Sequence, residues 1–475
     1  MDFPKQSPWA TQGGPGAKSK GSTAVVSAAV PASSQKYSLK QLRECGRSVL
    51  AFEGRVFDVS GWLDSHPGGS LAIEHMVGKD ATDQIRAFHP AYVWESMLGR
   101  FCVGELVLSE EEVLAGESNA LLSVSFNALK QRLEDEGLFE PDTSFYNILA
   151  LRYLAQFAAA VVLTLFLPSP LNALVGGAAV AAFWQQLAFF AHDAGHSGVT
   201  QDRSLDSMLG TVAASALGGL SLSWWKSTHN VHHLETNHPE HDPDIQHMPL
   251  LAVSKRNCEG DGLYSTYHRR AMPFDAAAKL ALLLQPWTYL PLLALGRINL
   301  YLQSYTFLFA NYHQLSHGGI ELTGLVVFWL WYAALCRSLS TRSDVAIFVV
   351  ASHCLSAVLH VQINMSHWGM STEEPAGGDE HFAAKALRTT MDVDCPEWLD
   401  WFHGGLQFQA VHHLFPRLPR RNLRSCVPLV QEFATANGLV YQRHGFFRGN
   451  GMVFDSLRTV AAHTWSLLLS KSPAP

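Results

Sequence analysis

The sequence predicts a small soluble α+β domain followed by an all-α membrane domain, with about four transmembrane helices in two hairpins and a metal-binding cap on one side. Three observations predict this architecture. Only 16% of the 475 residues are charged and 48% are hydrophobic, and the apolar residues collect in a few long runs. A strand-like stretch precedes these runs, and three groups of closely spaced histidines follow them or lie between them.

Net charge and cysteine content narrow the class of protein. The formal net charge is −7 and no basic segment dominates, so we expect no nucleic-acid partner. The seven cysteines are scattered and form no CxxC pair, which indicates reduced thiols rather than disulfides or a zinc ribbon. Residues 1–35 are rich in Ser, Ala, Gly and Pro and lack the apolar core of a signal peptide, so we expect a disordered N-terminal arm.

The soluble domain is expected at residues 36–108. The segment SVLAFEGRVFDVSGWL predicts two short strands around a turn at Glu53 and Gly54. The motif HPGGS follows at residues 66–70, and LAIEHMVGKDATDQIRAFHP comes directly after it.

These motifs resemble cytochrome b5 in the HPGG turn, the GKDAT helix start and the second histidine that ends the segment. The resemblance implies that His66 and His89 are the two axial ligands of one haem b. Two neutral imidazoles on opposite walls of an apolar cleft are suited to hold a planar macrocycle and to set its potential.

The membrane domain is expected at residues 143–450, after a charged helical linker at residues 109–142 and before a C-terminal tail at residues 451–475. Four apolar runs are long enough to cross a bilayer, at about residues 146–167, 171–190, 320–337 and 344–364. The connections within the first and second pairs are short, so each pair is predicted to be a hairpin that returns to the side it left.

Two further apolar segments, 205–222 and 280–295, are expected to lie in the membrane interface or against the soluble face. If residues 205–222 crossed the bilayer, the histidines before and after them would lie on opposite faces and could not form one centre. We therefore predict four spans with both chain ends in the cytosol. Arg337 and Arg342 in the second hairpin loop run against the positive-inside rule, but the histidine geometry is the stronger constraint.

The histidine groups are HDAGH, HNVHH and QAVHH, and their members are His192, His196, His229, His232, His233, His412 and His413. Offsets of three and four residues place imidazoles on one side of a helix. Imidazoles without thiolates suit iron, zinc or copper, and seven of them exceed the needs of one tetrahedral zinc, so two metal ions are indicated. Asp193, Asp242 and Asp244 are candidates to orient the rings.

A haem domain on the same chain supplies electrons that zinc could not use. The combination favours two Fe ions that activate dioxygen, which is the kind of oxidant that an inert C–H bond in a lipid chain requires.

The three motifs are similar to the histidine boxes of membrane front-end desaturases, a family with N-terminal cytochrome b5 domains and a glutamine, here Gln409, at the start of the third box. The segments HNVHHLETNHPEHDPDIQHMP and GGLQFQ resemble the fungal-type sphingolipid Δ8-desaturases. The resemblance implies that the seven box histidines are iron ligands. By analogy, His367 in INMSHW is a further candidate ligand, and the alternative is a packed histidine at the membrane interface.

The resemblance also implies a substrate, a partner and a membrane. Ceramide or its long-chain base is expected to receive a trans double bond, with electrons from NADH-cytochrome b5 reductase through the haem domain. A multi-pass position in the endoplasmic reticulum is expected, with the histidine boxes and the haem domain on the cytosolic side.

Alternatives remain open on the sequence alone. The same machinery could place a Δ8, Δ6 or Δ5 bond in polyunsaturated acyl chains, because the boxes do not separate these substrates. A lipid hydroxylase shares the architecture, but a glutamine at position 409 is an argument against this function. A membrane-tethered electron carrier would lack the metal centre formed by the histidines.

The basic run Arg417, Arg420, Arg421 and Arg424 is expected to be a solvated or headgroup-facing patch.

Overall fold

The structure is a computed structural model that describes residues 35–375 and 380–470. The predicted disordered arm, residues 1–35, therefore lies outside the described residues except for its last position.

The N-terminal domain is built on one mixed four-stranded sheet, in the order β1-β4-β3-β2, with only the β1–β4 pair parallel. Its strands are β1 (Gln35–Tyr37), β2 (Val49–Phe52), β3 (Arg55–Asp58) and β4 (Cys102–Leu106). Its helices are α1 (Leu39–Glu44), α2 (Ser70–Glu74) and α3 (Thr82–Phe88). The predicted turn joins β2 to β3, and Glu53 and Gly54 both have positive φ, as a tight hairpin turn requires. The predicted α+β domain is confirmed.

Helix α4 (Glu110–Asp135) occupies most of the predicted linker. Ser109 begins it with a capping box to Glu112. Phe126 and Leu133 on this helix are fully buried and belong to one apolar cluster with Ala87 of the N-terminal domain. The segment therefore packs against both parts of the chain.

Four helices in the rest of the chain are long and apolar enough to cross a membrane. They are α5 (Thr143–Phe166), α6 (Leu171–Gly195), α11 (Gly318–Ser338), and α12 (Arg342–Cys354) continued by α13 (Ala357–Met365). Each begins and ends within a few residues of its predicted span, except that α6 continues to the first histidine group. Multi-pass membrane architecture is confirmed.

Both hairpin turns lie at the same end of this bundle. The Ser169 hydroxyl, in the turn between α5 and α6, donates a hydrogen bond of 2.9 Å to a carboxylate oxygen of Asp344 at the start of α12. The histidine-bearing ends of α6 and α13 consequently lie together at the opposite end.

The two segments predicted not to cross form bent pairs. Helix α7 (Arg203–Thr211) continues through a π-helical turn, Val212–Leu217, and then turns by 114° into α8 (Leu222–Leu234). Helix α9 (Ala276–Ala294) turns by 68° into α10 (Gly296–Asn311). By length and composition, each bent pair could also be one broken transmembrane span. Their position outside the bilayer therefore stays a prediction.

The remaining elements build the cap around the histidines. They are β5 (Gly262–Ser265), β6 (Arg270–Pro273), α14 (Phe382–Thr389), β7 (Asp392–Asp394), α15 (Asp400–His403), α16 (Gln409–Leu414), α17 (Leu423–Ala436), β8 (Arg443–Gly445) and α18 (Phe446–Ser470). Strands β5 and β6 form an antiparallel hairpin, whereas β7 and β8 pair in parallel. Most of the predicted C-terminal tail is part of α18, which packs along α9.

Small residues set the distance between spans α6 and α12. A Cβ atom at Gly177 would lie 2.8 Å from the carbonyl oxygen of Phe348 and 2.9 Å from the Cβ of Ala351. The two backbones therefore approach each other as closely as only glycine permits.

We expect Gly177→Ala to lower the thermal unfolding midpoint of the detergent-purified chain, because the added methyl group would push these helices apart. Gly451→Ala in α18 is the matched control, since no atom lies within 4 Å of its added Cβ. Equal midpoints for the two variants would contradict the close-packing argument.

Candidate metal centre

The seven box histidines and His367 meet in one buried region at the end of the bundle. His192 lies in the last turn of α6 and His196 directly follows that helix. Helix α8 carries the second group, and the short helix α16 carries the third. Within a group, histidines three or four residues apart lie on one side of their helix, whereas the adjacent His412 and His413 diverge, with ring centroids 6.0 Å apart.

One set of four imidazoles surrounds a common point. The ligand nitrogens of this set all lie within 4.8 Å of one another, and its members are His192, His196, His229 and His412. The ring centroids of His192 and His412, which are 220 residues apart in the chain, are 4.5 Å apart.

A second set of three imidazoles lies beside the first. It consists of His232, His367 and His413, again with nitrogens within 4.8 Å of one another. The His367 ring is 4.6 Å from that of His232 and 4.8 Å from that of His413. His367 lies outside the three histidine groups of the sequence, and the end of α13 brings it to the cluster.

His233 and Gln409 lie in contact with these sets. The Nε2 atom of His233 is 3.0 Å from that of His229, and its ring stacks on His413 with a centroid distance of 4.1 Å. The amide oxygen of Gln409 is 3.4 Å from Nε2 of His367. His233 therefore bridges the two sets, and the glutamine stands next to the second.

The cluster fits transition-metal ions because its nitrogens are buried without hydrogen-bond partners. In the described part of the chain this holds for His192 Nε2, His196 Nε2, His233 Nδ1, His367 Nδ1, His412 Nε2 and His413 Nε2. Buried polar atoms are normally paired, so such a concentration of unpaired nitrogens needs an explanation. Burial lowers the pKa of His412 and of His413 well below the usual 6.5, which keeps their lone pairs free for a metal.

A carboxylate next to the imidazoles fixes the orientation of the His232 ring. The Nδ1–H of His232 donates to Asp242 at 2.9 Å, and Asp242 also accepts the backbone N–H of Asn237 at 2.7 Å. Asp244 is more remote, at 3.9 Å from Nδ1 of His229. Against the effect of burial, Asp242 and Asp244 raise the pKa of His232 to about 9. The predicted orienting role suits Asp242 best.

Asp193 was expected to orient a histidine ring, but it pairs mainly with Arg420. It accepts hydrogen bonds from Nε of Arg420 at 2.8 Å and from the hydroxyl of Tyr146 at 2.9 Å, and its distance to Nδ1 of His192 is 3.7 Å. Arg420 is 9% exposed, so the prediction of a solvated or headgroup-facing basic patch is wrong for this residue.

Two other arginines of that run also pair within the protein. Arg424 donates to Asp400 at 2.8 Å, and Arg421 pairs with Asp142. The sequence predicted exposed arginines because the aspartates that pair with them do not lie within the run itself.

Asp392 is a residue next to the site that no sequence motif selects. It is 1% exposed. Its carboxylate accepts a hydrogen bond of 2.8 Å from the backbone N–H of Ala410 and another from the hydroxyl of Tyr441. It therefore anchors the start of α16, which carries His412 and His413.

The haem motifs lie on facing walls of the N-terminal domain. The ring centroids of His66 and His89 are 6.1 Å apart. Nδ1 of His66 lies 3.0 Å from the carbonyl oxygen of Gly69, and Nδ1 of His89 lies 3.2 Å from that of Ile85. A carbonyl can only accept, so both Nδ1 atoms carry the proton and both Nε2 atoms offer a lone pair. Burial lowers the pKa of His66 to about 4 and that of His89 to about 3, which favours the neutral rings that a haem iron binds.

Comparison with known proteins decides the family. Residues 35–107 match the model of the cytochrome b5-like haem/steroid binding domain, and residues 168–445 match that of the fatty acid desaturases. The chain is 37% identical to a Delta 8-(E)-sphingolipid desaturase of Emericella nidulans, over 88% of this chain and 92% of that protein. The chain belongs to the cytochrome b5-fused fatty acid desaturases.

Other desaturases of this kind differ in the substrates that their names state. The chain is 34% identical to an acyl-lipid (9-3)-desaturase of Borago officinalis, over 89% of this chain and 92% of that protein. It is 32% identical to a Delta(8)-fatty-acid desaturase 2 of Arabidopsis thaliana, with the same coverage. Both names state fatty acyl substrates.

As a b5-fused desaturase, the protein is a multi-pass membrane oxidoreductase of lipid metabolism, and its N-terminal domain implies haem. The two histidine sets are consistent with a pair of iron ions.

We expect Asp242→Asn to weaken metal binding at the histidine cluster by about 10–100-fold, the usual effect of removing the acid that orients a metal-binding imidazole. Competition with a chelator on the purified chain measures this affinity. Asp455→Asn is the control, because Asp455 is 65% exposed and pairs only with Arg458, on its own helix, among the described residues. Equal metal affinities for the two variants would show that Asp242 does not support the metal site.

We expect stability to depend on pH through Asp392. Burial raises the pKa of its carboxyl from 3.8 to about 7. The folded state holds this proton more tightly than the unfolded state, so the contribution to stability is complete below pH 3.8 and is lost as the pH rises through about 7.

Asp392→Asn should therefore unfold at a midpoint that changes less than the wild-type midpoint across this pH window. The control Asp394→Asn, in the same strand but 68% exposed, should keep the wild-type pH dependence. Parallel pH profiles for wild type and Asp392→Asn would show that the carboxyl is ionised throughout.

Proposed function

We propose that this chain is a sphingolipid desaturase that uses dioxygen and two iron ions to introduce a Δ8 double bond into long-chain bases. The observation that carries the chemistry is the set of buried imidazole nitrogens without partners, divided into two groups beside a haem domain. The substrate is supported by the named relatives, because the Δ8-(E)-sphingolipid desaturase of Komagataella phaffii is also 36% identical over 88% of this chain.

The histidine sets suggest how the metal would be held. His192, His196, His229 and His412 would bind one iron, and His232, His367 and His413 would bind the other. His233 would stand between the two ions, with Gln409 beside the second set. When bound, the iron pair supplies the activation of dioxygen that removes hydrogen from unactivated carbon.

Electrons balance if the haem domain delivers two per double bond. Loss of two hydrogen atoms from neighbouring carbons provides two electrons, and the reduction of dioxygen to two waters requires four. We propose that His66 and His89 hold the haem that passes on the other two, one at a time, and that NADH-cytochrome b5 reductase supplies them.

Residues of both domains support such a transfer by fixing the haem domain in place. Asp83 of α3 is 6% exposed and lies 2.8 Å from Nε2 of His381 and 3.0 Å from the amide nitrogen of Asn127. Next to the proposed ligand His89, the ring of Phe88 meets His233 edge-on at a centroid distance of 5.8 Å. The haem domain thus touches the cluster directly.

We further propose that the cap lies on the cytosolic side of the endoplasmic reticulum membrane. The hairpin turns that contain Ser169 and Asp344 would then face the lumen. This arrangement places all the proposed metal ligands on one side, as one centre requires.

A front-end desaturase of fatty acyl chains is the second candidate. The names of the Borago officinalis and Arabidopsis thaliana proteins favour it at nearly the same identity as the sphingolipid enzymes. The two candidates share all the chemistry above and differ only in the lipid.

Expression in a host without either activity tests the substrate. We expect a new Δ8 double bond in the long-chain bases and none in the fatty acid esters, when the two lipid pools are separated and analysed by mass spectrometry. A new bond in the esters alone would overturn the sphingolipid proposal and support the second candidate.

Two variants serve as controls for that experiment. His412→Ala removes a member of the first histidine set, and His66→Ala removes a proposed haem ligand while leaving the cluster intact. Neither should form product in either lipid pool.

A further inference from the structure

Helix α8 closes the mouth of the haem cleft with one of its faces. The amide of Asn230 donates to the carbonyl oxygen of Gly68 at 2.9 Å, and a Cβ at Gly69 would lie 3.7 Å from Cα of Ser227. One turn further along, Leu234 packs against the apolar core of the haem domain. These three positions recur at intervals of three and four residues, so they form one stripe on the helix.

The same helix directs His229 and His232 away from this stripe into the metal cluster. A single helix is therefore the wall between the two sites. Residues at its start lie next to the HPGG loop that carries His66.

Three cationic side chains act electrostatically on the proposed haem ligands, and one of them, Lys226, directly precedes Ser227 beside the HPGG loop. They are Arg203 at the start of α7, Lys226 in the first turns of α8, and Arg417 after the third histidine group. Within residues 35–375 and 380–470, none of the three forms a side-chain hydrogen bond or ion pair.

The charges of these residues act on both proposed haem ligands. After burial, Arg203 and Lys226 contribute to lowering the pKa of His66, and Arg417 and Arg203 contribute to lowering that of His89. Burial and the neighbouring Arg203 lower the pKa of Lys226 itself to about 8. Lys226 and Arg417 are only partly exposed, and a partly buried charge without a bonded counter-ion is unfavourable, whereas Arg203 is exposed.

Haem b carries two propionates, and the imidazole ligands on this chain leave those carboxylates unneutralised. We propose that Lys226, together with Arg203 and Arg417, binds the haem propionates, so that the desaturase domain completes the haem site of the b5 domain. This inference rests on His66 and His89 being the haem ligands, as proposed above.

Haem release from the full-length chain tests the proposal. We expect Lys226→Gln to release haem to excess apomyoglobin about tenfold faster than wild type, which corresponds to the loss of one charge-assisted hydrogen bond of about 1.4 kcal/mol. Lys40→Gln is the charge-matched control, since Lys40 is 77% exposed on the far helix α1, and it should release haem at the wild-type rate. Equal release rates for wild type and Lys226→Gln would overturn the proposal.

Haem dimethyl ester separates a direct pairing from a structural effect. Reconstituted with this ester, whose propionates carry no charge, wild type and Lys226→Gln should release the macrocycle at the same rate. A tenfold difference that persists with the ester would show that Lys226 acts by shaping the cleft, and the propionate pairing would be wrong.

The spectrum of the wild-type haem reports separately on the ligands. A low-spin spectrum with two imidazole ligands supports His66 and His89, whatever the release rates are. These measurements need no lipid or oxygen, so they stand apart from the outcome of the desaturation experiment.

Discussion

The burial of imidazole nitrogens without hydrogen-bond partners is the constraint on which the rest of this structure depends. Imidazole nitrogens crowded together in a water-poor region without hydrogen-bond partners leave lone pairs that only a metal ion can satisfy efficiently. Four separate stretches of chain must end at one place to create this arrangement. The bundle achieves it because both hairpin turns lie at one end, which leaves the histidine-bearing ends of α6 and α13 at the other.

The cap is held together by polar contacts between segments that are near in the chain and segments that are far apart. Asp193 pairs with Arg420, Asp242 fixes His232, and Asp392 anchors the start of α16. Each contact joins an acid from one segment to a histidine-bearing helix or to the segment that follows it. Charges of this kind are stable inside a protein only when they are paired, so the cap is rigid where the metal would need fixed ligands.

The haem domain is integrated into the same structure and is not tethered at a distance. Asp83 and the neighbouring Ala87 contact α4 and the cap, and Phe88 reaches His233. Helix α8 touches the haem cleft with one face and the metal cluster with the other. An enzyme that takes electrons one at a time benefits from such a short fixed path, whichever of the two lipid classes it desaturates.

The sequence by itself predicted two strands, the four spans and most of the histidines that the fold brings together. Apolar residues around a turn at Glu53 and Gly54 predicted β2 and β3, apolar length predicted the four spans, and helical offsets grouped the histidines, because each of these signals is local in the chain. Only the tertiary structure decided how seven of the eight histidines divide into two sets with His233 in contact with both, and that His367 belongs to one of them. It also decided that Arg420 is buried and that Asp392 anchors the start of α16. These facts depend on contacts between residues tens to hundreds of positions apart, such as Asp193 with Arg420, and a local pattern carries no information about a partner that the fold alone brings near.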